Sequence, residues 1–414
     1  MSKKSILVVS ETIDVDASSA GKGRVAFIQS LVKGNFNVDV LHYSHKKIDL
    51  PSVKTVLVKE NRADIYYWLS RGQRVIQRLT GKNFSRSLEN IFGFSFTFKN
   101  DAASMANAIL NYENEFDLII TLSKGASYRS HAALLLCPQY HHKWLAFMHD
   151  PYPFHLYPPP YNWTEAGHQQ KEFFFREVSE KATFSSFPSL LLKEWMSTFF
   201  PNFSQTGIVL PHQKLPNNES ASALPDCFKM DAFTILHSGS LLDHRNPFFL
   251  IEGYKTFISN NPEAAKKAQL LLIGDATPHE PNLTIECDSV PTIYKSKGYL
   301  PFKEVQVLQQ NATCLLVLEA ISNVSPFLPG KFPHYIQENK PIIHLGPENS
   351  ETRRLLGVDY PYSCPADNVA QIANIFNELF VEWQAADRLE LNRPDLQEYC
   401  SESYFINQLN TILD

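Results

Sequence analysis

Thr313-Cys-Leu-Leu-Val-Leu-Glu319, then Ser325-Pro-Phe-Leu-Pro-Gly-Lys-Phe-Pro-His-Tyr335, then Asn339-Lys-Pro-Ile-Ile343, is the stretch that decides the fold. A short apolar run empties into a Pro/Gly loop, the loop leads to a helix start, and a second apolar run follows. Runs this brief and rich in Val, Ile and Leu read as strands buried on both faces, the signature of a parallel sheet. The helix start after Gly330 offers N–H groups and a positive dipole end to an anion, and Lys331 adds a point charge in its first turn.

Reading outward, the same grammar recurs. Phe233-Thr-Ile-Leu-His-Ser-Gly-Ser-Leu-Leu-Asp-His-Arg-Asn-Pro247 is a strand, a loop holding Gly239 and Ser240, Arg245, and a helix from about Pro247. In doubly wound domains ligands bind at the carboxyl ends of strands. A glycine there admits a phosphate, which a hydroxyl and a guanidinium fork then hold. The next strand ends in Leu271-Leu-Ile-Gly-Asp275, placing Gly274 at an equivalent position, and Gly298-Tyr-Leu-Pro301 sets Tyr299 where a ring can lie beside a nucleotide base. Each element alone also suits an ordinary strand-to-helix turn.

Together these segments resemble glycosyltransferase family 4, whose members have the GT-B fold. The resemblance covers about residues 233–347 and rests on Gly239, Ser240 and Arg245, on Gly298 to Pro301, and on Ser325 to Ile342 in that order. It implies an α/β chain of two Rossmann-like domains facing each other across a cleft. It also implies transfer of a sugar from a nucleoside diphosphate with retention, a nucleotide sugar as substrate, and no metal or other cofactor. Gly239, Ser240, Arg245, Gly274, Tyr299, Ser325, Gly330 and Lys331 would hold the donor. One departure stands out: relatives often carry two glutamates eight positions apart, and here Glu319 is followed at that spacing by Phe327. The alternatives left open are a binding protein of the same fold that lost catalysis, and an epimerase or hydrolase of sugar nucleotides.

The first half alternates likewise, with strands predicted at 5–10, 38–42, 55–59, 117–121, 143–148, 182–186 and 208–210 and helices such as 23–32 and 101–112. A Pro- and Asn-containing stretch interrupts the pattern before it restarts at 233. The expected division is an acceptor domain at 1–212, a linker at 213–230, a donor domain at 231–395, and a tail at 396–414 that returns to the first domain. After the first strand, Ser18-Ser-Ala-Gly-Lys-Gly-Arg24 is glycine-rich but lacks the order of a P-loop. The family resemblance places Gly21 and Gly23 against the diphosphate or acceptor. His149 and Asp150 end a buried strand, and the same resemblance gives His149 contact with the transferred sugar and Asp150 an orienting or proton-accepting part. The loop from Pro151 to Trp163 is stiff and aromatic, suited to a sugar ring or to packing on its own domain.

With 414 residues, 44% of them hydrophobic and 20% charged, the chain has material for two cores. A net charge of -5 gives no general reason to expect nucleic acid. No apolar run nears the roughly 18 residues that span a bilayer, and the run from Ile6 to Val9 is too short for a leader sequence. The six cysteines form no C-x-x-C pair or zinc-type cluster. Free thiols fit a reducing compartment, so the expected location is cytoplasmic. Arg71, Arg74 and Arg78 share one helical face, which suits either solvent or peripheral contact with anionic lipid at the inner membrane face.

Overall fold

In the computed structural model, described for residues 3–15, 19–123, 127–215, 223–386 and 388–413, the chain forms two compact α/β units. The first comprises Met1–Tyr157, Asn162–Leu215 and Tyr399–Asp414; the second comprises Pro158–Tyr161 and Pro216–Glu398. Ser18 and residues 216–222 of the expected linker lie outside the described residues.

The first unit holds seven parallel strands: β1 (Ser5–Ser10), β2 (Asn37–His42), β3 (Lys54–Leu57), β4 (Leu118–Leu122), β5 (Trp144–Phe147), β6 (Phe184–Phe187) and β7 (Gly207–Val209). Their order is β3-β2-β1-β4-β5-β6-β7. Side chains on β1 alternate between two cores, as the period of a strand requires. Ile6 and Val8 join the layer containing Phe27, Ile28 and Leu31 of helix α1 (Ser19–Lys33), while Leu7 and Val9 face Met105, Ala106 and Ile109. Between β3 and β4 lie three helices: α2 (Ile65–Thr80), α3 (Ser85–Phe92) and α4 (Phe96–Leu110), the last carrying Met105 to Ile109. Asp64 caps α2 through Tyr66 N at 2.7 Å, and Gly81 ends it in the left-handed conformation.

The C-terminal helix Glu402–Asn410 completes the α1 layer. Phe405 and Leu409 are fully buried, and the Phe405 ring meets Phe27 edge-on at 4.9 Å. Each such side chain stabilises the fold by about 2 kcal/mol, so residues from the very end of the sequence belong to the core of its beginning.

The second unit adds β8 (Phe233–Ser238), β9 (Ala268–Ile273), β10 (Ile293–Lys295), β11 (Cys314–Leu318), β12 (Val324–Ser325), β13 (Ile342–Leu345), β14 (Asn349–Ser350) and β15 (Ser363–Cys364). Six of these form a parallel sheet in the order β10-β9-β8-β11-β13-β15, and β12 pairs with β14. Phe233 and Ile235 of β8 pack with Leu250, Tyr254, Phe376 and Phe380 in one apolar layer. The strand order reverses between β8 and β11, which makes the carboxyl end of β8 the place where such a sheet leaves a crevice. No helix among the described residues is long and apolar enough to cross a membrane.

Candidate functional site: a cationic crevice at the end of β8

Strand β8 delivers His237 and Ser238 and then stops at Gly239, whose φ of 153° favours glycine. A side chain there would place its first carbon 3.5 Å from Lys331 Nζ and 3.8 Å from His237 Nε2. Because residue 239 is glycine, that volume stays open and is faced by nitrogen atoms. Lys331 comes from the loop after β12 and immediately precedes the helix Phe332–Gln337. Its Nζ lies 3.2 Å from His237 Nδ1 and donates to Leu316 O at 3.3 Å.

The electrostatics follow from this packing. Burial and then the nearby Arg245 hold the Lys331 ammonium well below its usual range, while Glu319 opposes that shift. Burial, Lys331 and Arg245 likewise push His237 down, so its imidazole is neutral. His237 Nδ1 lies 3.2 Å from Lys331 Nζ and 3.3 Å from Leu316 O, and its Nε2 is buried without a well-formed hydrogen bond. Arg245 has no side-chain hydrogen bond or ion pair among the described residues. Glu319 is committed elsewhere: its Oε1 accepts from Thr352 Oγ1 at 2.7 Å, and Oε2 lies 3.5 Å from His344 Nε2. The crevice therefore gathers a lysine, an arginine and a buried imidazole nitrogen, with no carboxylate paired to them among the described residues, an arrangement that favours an anion.

A second layer sets the geometry. Tyr335 OH lies 3.0 Å from Ser238 Oγ, which also accepts from Gln309 Nε2 at 2.8 Å. This holds the end of β8 against the helix that follows Lys331. Ser240 Oγ lies 2.8 Å from the hydroxyl of the exposed Tyr299. Gly274 has a purely internal reason to be glycine, since a side chain there would strike Gly239 O at 2.4 Å. Ser325 is buried in β12, and Gly330 is exposed with open space before it. The helix after Lys331 is only six residues long and has Pro333 in its first turn, so charge at this site comes chiefly from side chains. Where a second glutamate was sought, the ring of Phe327 meets Tyr161 at 6.0 Å, and Tyr161 also meets His244 at 5.0 Å.

The first unit has its own polar cluster at the carboxyl ends of β1, β4 and β5. Arg24 is wholly buried on α1; its Nε donates to Thr12 O at 2.7 Å and Nη1 to Ser123 O at 3.3 Å, while Nη2 is buried with no partner among the described residues. His149 follows β5. Burial first, then Arg24, His212 and His131, drive its imidazole well below the usual range, and its buried Nε2 is unpartnered among the described residues. Asp150 accepts from Tyr152 OH at 3.2 Å. Gly21 packs on the chain itself, for a side chain would meet Asp14 O at 2.1 Å; Gly23 faces open space. In the aromatic loop, Tyr152, Phe154, Tyr157 and Trp163 pack on one another.

Sequence reasoning placed Gly239, Arg245 and Lys331 together but missed His237, Tyr335, Gln309 and Arg24. His237 and Arg24 stand in the sequence as polar residues inside apolar patterns, which is the signal that marks them.

The sequence matches no family model and no curated protein. Solved structures do resemble it along its whole length. HepE of Anabaena, solved with UDP and glucose, shares 12% identity with a TM-score of 0.61 and covers 99% of each chain. A glycosyltransferase from Rickettsia africae shares 12% with a TM-score of 0.63, covering 100% of this chain and 98% of that one. The UDP-forming α,α-trehalose-phosphate synthase of Burkholderia vietnamiensis shares 11% with a TM-score of 0.61, covering 100% and 97%. At these identities the likeness establishes architecture: the chain has the GT-B fold, built from two Rossmann-like domains.

Proposed function

We propose that this protein is a glycosyltransferase that moves a sugar from a nucleoside-diphosphate donor to a saccharide or lipid-linked acceptor, in polysaccharide or glycoconjugate synthesis. The observation that carries the reading is that Lys331 Nζ and His237 Nε2 face the open volume before Gly239, with Arg245 near enough to act electrostatically on both. Bond breaking at the anomeric carbon builds charge on the β-phosphate, and fixed cations aimed at that oxygen stabilise the transition state more than the ground state. Arg245 and Lys331 supply this charge from the chain itself, so the reaction needs no metal. Ser240 and Tyr299 flank the same opening and suit the nucleotide. UDP is the favoured nucleotide, because similarly folded HepE was solved with UDP and the trehalose-phosphate synthase is named as UDP-forming.

Neutral His149, with its unpartnered Nε2, can hydrogen-bond a sugar hydroxyl, and a departing phosphate oxygen can itself collect the acceptor proton, consistent with retention. The expected setting is cytoplasmic. Incubation with a panel of radiolabelled nucleotide sugars and with saccharide and lipid-linked acceptors tests the proposal. Transfer that depends on Arg245 and Lys331 is expected. Nucleotide binding without turnover would favour the non-catalytic reading, which the aromatic contacts of Phe327 in place of a second carboxylate support. Hydrolysis or epimerisation without acceptor would favour the other enzymatic one.

A further inference from the structure

Helix α2 is built inside out. At 100° per residue, Val75, Trp68, Leu79, Ile65, Ile76 and Leu69, with Gly72 among them, fall on one uninterrupted arc of about 120°. Such an arc ordinarily faces a core. Here it faces outward: Leu79 is 81% exposed, Ile65 67% and Trp68 65%, and Ser70 is the one buried residue of the helix. The polar side is the one that packs on the protein. Gln73 Nε2 donates to Ser85 Oγ at 3.1 Å, and Gln77 Nε2 to Asn83 Oδ1 at 2.9 Å and Ser85 Oγ at 3.0 Å. Helix α3 extends the exposed apolar surface with Ile91, 65% exposed, and Phe92. An exposed patch of this kind marks an interaction site.

The charges beside the patch select its occupant. Arg74, Arg78 and Arg71 occupy the adjoining arc, and all three are exposed. Arg71 reaches Glu60 at 3.4 Å and Arg74 reaches Thr97 at 3.1 Å, while Arg78 has no ion pair or hydrogen bond among the described residues. Lys82 and Arg86, also exposed, continue the basic strip into the turn and α3. A protein partner's groove would need matching acids around a narrow apolar slot. A bilayer surface supplies anionic headgroups beside acyl chains along the length of a helix, and long arginine stems reach headgroups while neighbouring apolar side chains sink deeper.

We infer that α2 and α3 form a membrane-docking hairpin. It lies in the plane of an anionic lipid surface, inserts Trp68, Ile76, Leu79 and Ile91 among the acyl chains, and holds phosphate headgroups with Arg71, Arg74 and Arg78. The inference stands apart from the transfer reaction, because docking needs neither donor nor acceptor.

The test is vesicle flotation of the full chain with phosphatidylcholine vesicles and with phosphatidylcholine–phosphatidylglycerol vesicles. Binding to the anionic vesicles is expected, with brominated lipid quenching that is lost in Trp68→Phe. Leu79→Glu and Ile76→Glu each lower partitioning at least tenfold with an unchanged melting temperature, since both sites are already in water. Replacing Arg71, Arg74 and Arg78 by Gln together lowers it roughly a hundredfold, at about fivefold per charge. Absence of binding to anionic vesicles overturns the inference, as does binding that the glutamate variants leave intact. Self-association in ultracentrifugation, abolished by Leu79→Glu without any vesicle binding, also overturns it in favour of a second copy on this face.

Discussion

Replacing Lys331 by Met separates a ligand-binding role from a structural one, because the two predict opposite signs for stability. Met keeps most of the side-chain volume and removes the charge. In the ligand-free protein that charge is disfavoured by burial and by Arg245, so its folded pKa lies below the unfolded value near 10.4. Stability is thus lowered throughout the pH range beneath the folded pKa, where the group is charged in both states, and recovers as pH climbs towards the unfolded value. Removing the ammonium removes that penalty. The carbonyl of Leu316 is not orphaned, since His237 Nδ1 lies 3.3 Å away and can donate to it once Lys331 no longer does. Lys331→Met should therefore melt at or above the wild-type temperature. A bound diphosphate, by contrast, loses a charge-assisted contact worth about 1.5–3 kcal/mol, or a factor of roughly 10 to 150 in Kd. Urea unfolding and calorimetric titration with UDP on the same preparations measure both quantities. A variant that loses stability and binds UDP within twofold of wild type would refute the reasoning.

Arg245→Ala should cut transfer by about two orders of magnitude or more while leaving the melting temperature unchanged or slightly raised, since it has no hydrogen bond or ion pair to lose among the described residues and its repulsion of Lys331 is relieved; steady-state kinetics with the best donor checks this. UDP binding should take up protons above the folded pKa of Lys331, because the anion restores its ammonium, and affinity should fall as pH rises through that window; titration in buffers of different ionisation enthalpy reads the uptake. His149→Ala should lower turnover far more than UDP affinity, and full activity in a well-folded variant would remove it from the reaction. Burial holds His131 down to about 3, so stability is complete above its ordinary value and is lost as pH falls below it, by about 2 kcal/mol at pH 5; urea unfolding at pH 7 and pH 5 shows the loss, which His131→Asn should abolish. Phe405→Ala should destabilise by about 3–5 kcal/mol through loss of its contact with Phe27, measured by chemical unfolding.

Strands buried on both faces were the most legible feature of the sequence. β1 and β8 announce themselves as apolar runs, and their limits follow from composition alone. Edge strands were not legible. β10 is three residues with a partly exposed Tyr294, and β15 is Ser363 and Cys364, too short for any period to appear. In helix α2 the limit has a different cause. Its apolar arc is plain in the sequence, but periodicity reports that a helix has two faces and not which one meets the protein. That choice was made by Gln73 and Gln77 finding Ser85 and Asn83 across a turn. The arginine spacing was read; the exposed apolar side beside it could not be.

The glycines make the same point about the site. Gly21, Gly239 and Gly274 look alike in sequence, each following a predicted strand and each suited to close backbone approach. In the structure, two of them are filled by the protein itself: Asp14 O stands against Gly21, and Gly239 O stands against Gly274. Only Gly239 leaves its space open, and what it opens towards is Lys331, 92 residues further along the chain. His237, beside it, meets that same lysine across 94 residues, its Nδ1 lying 3.2 Å from Lys331 Nζ. A glycine at a strand end thus marks where backbones must come close, while the nitrogen atoms gathered around the gap decide whether the neighbour is another loop or a phosphate. Sequence carries the first statement locally. The second exists only once β8 and β11 lie side by side and bring the loop after β12 over the end of β8.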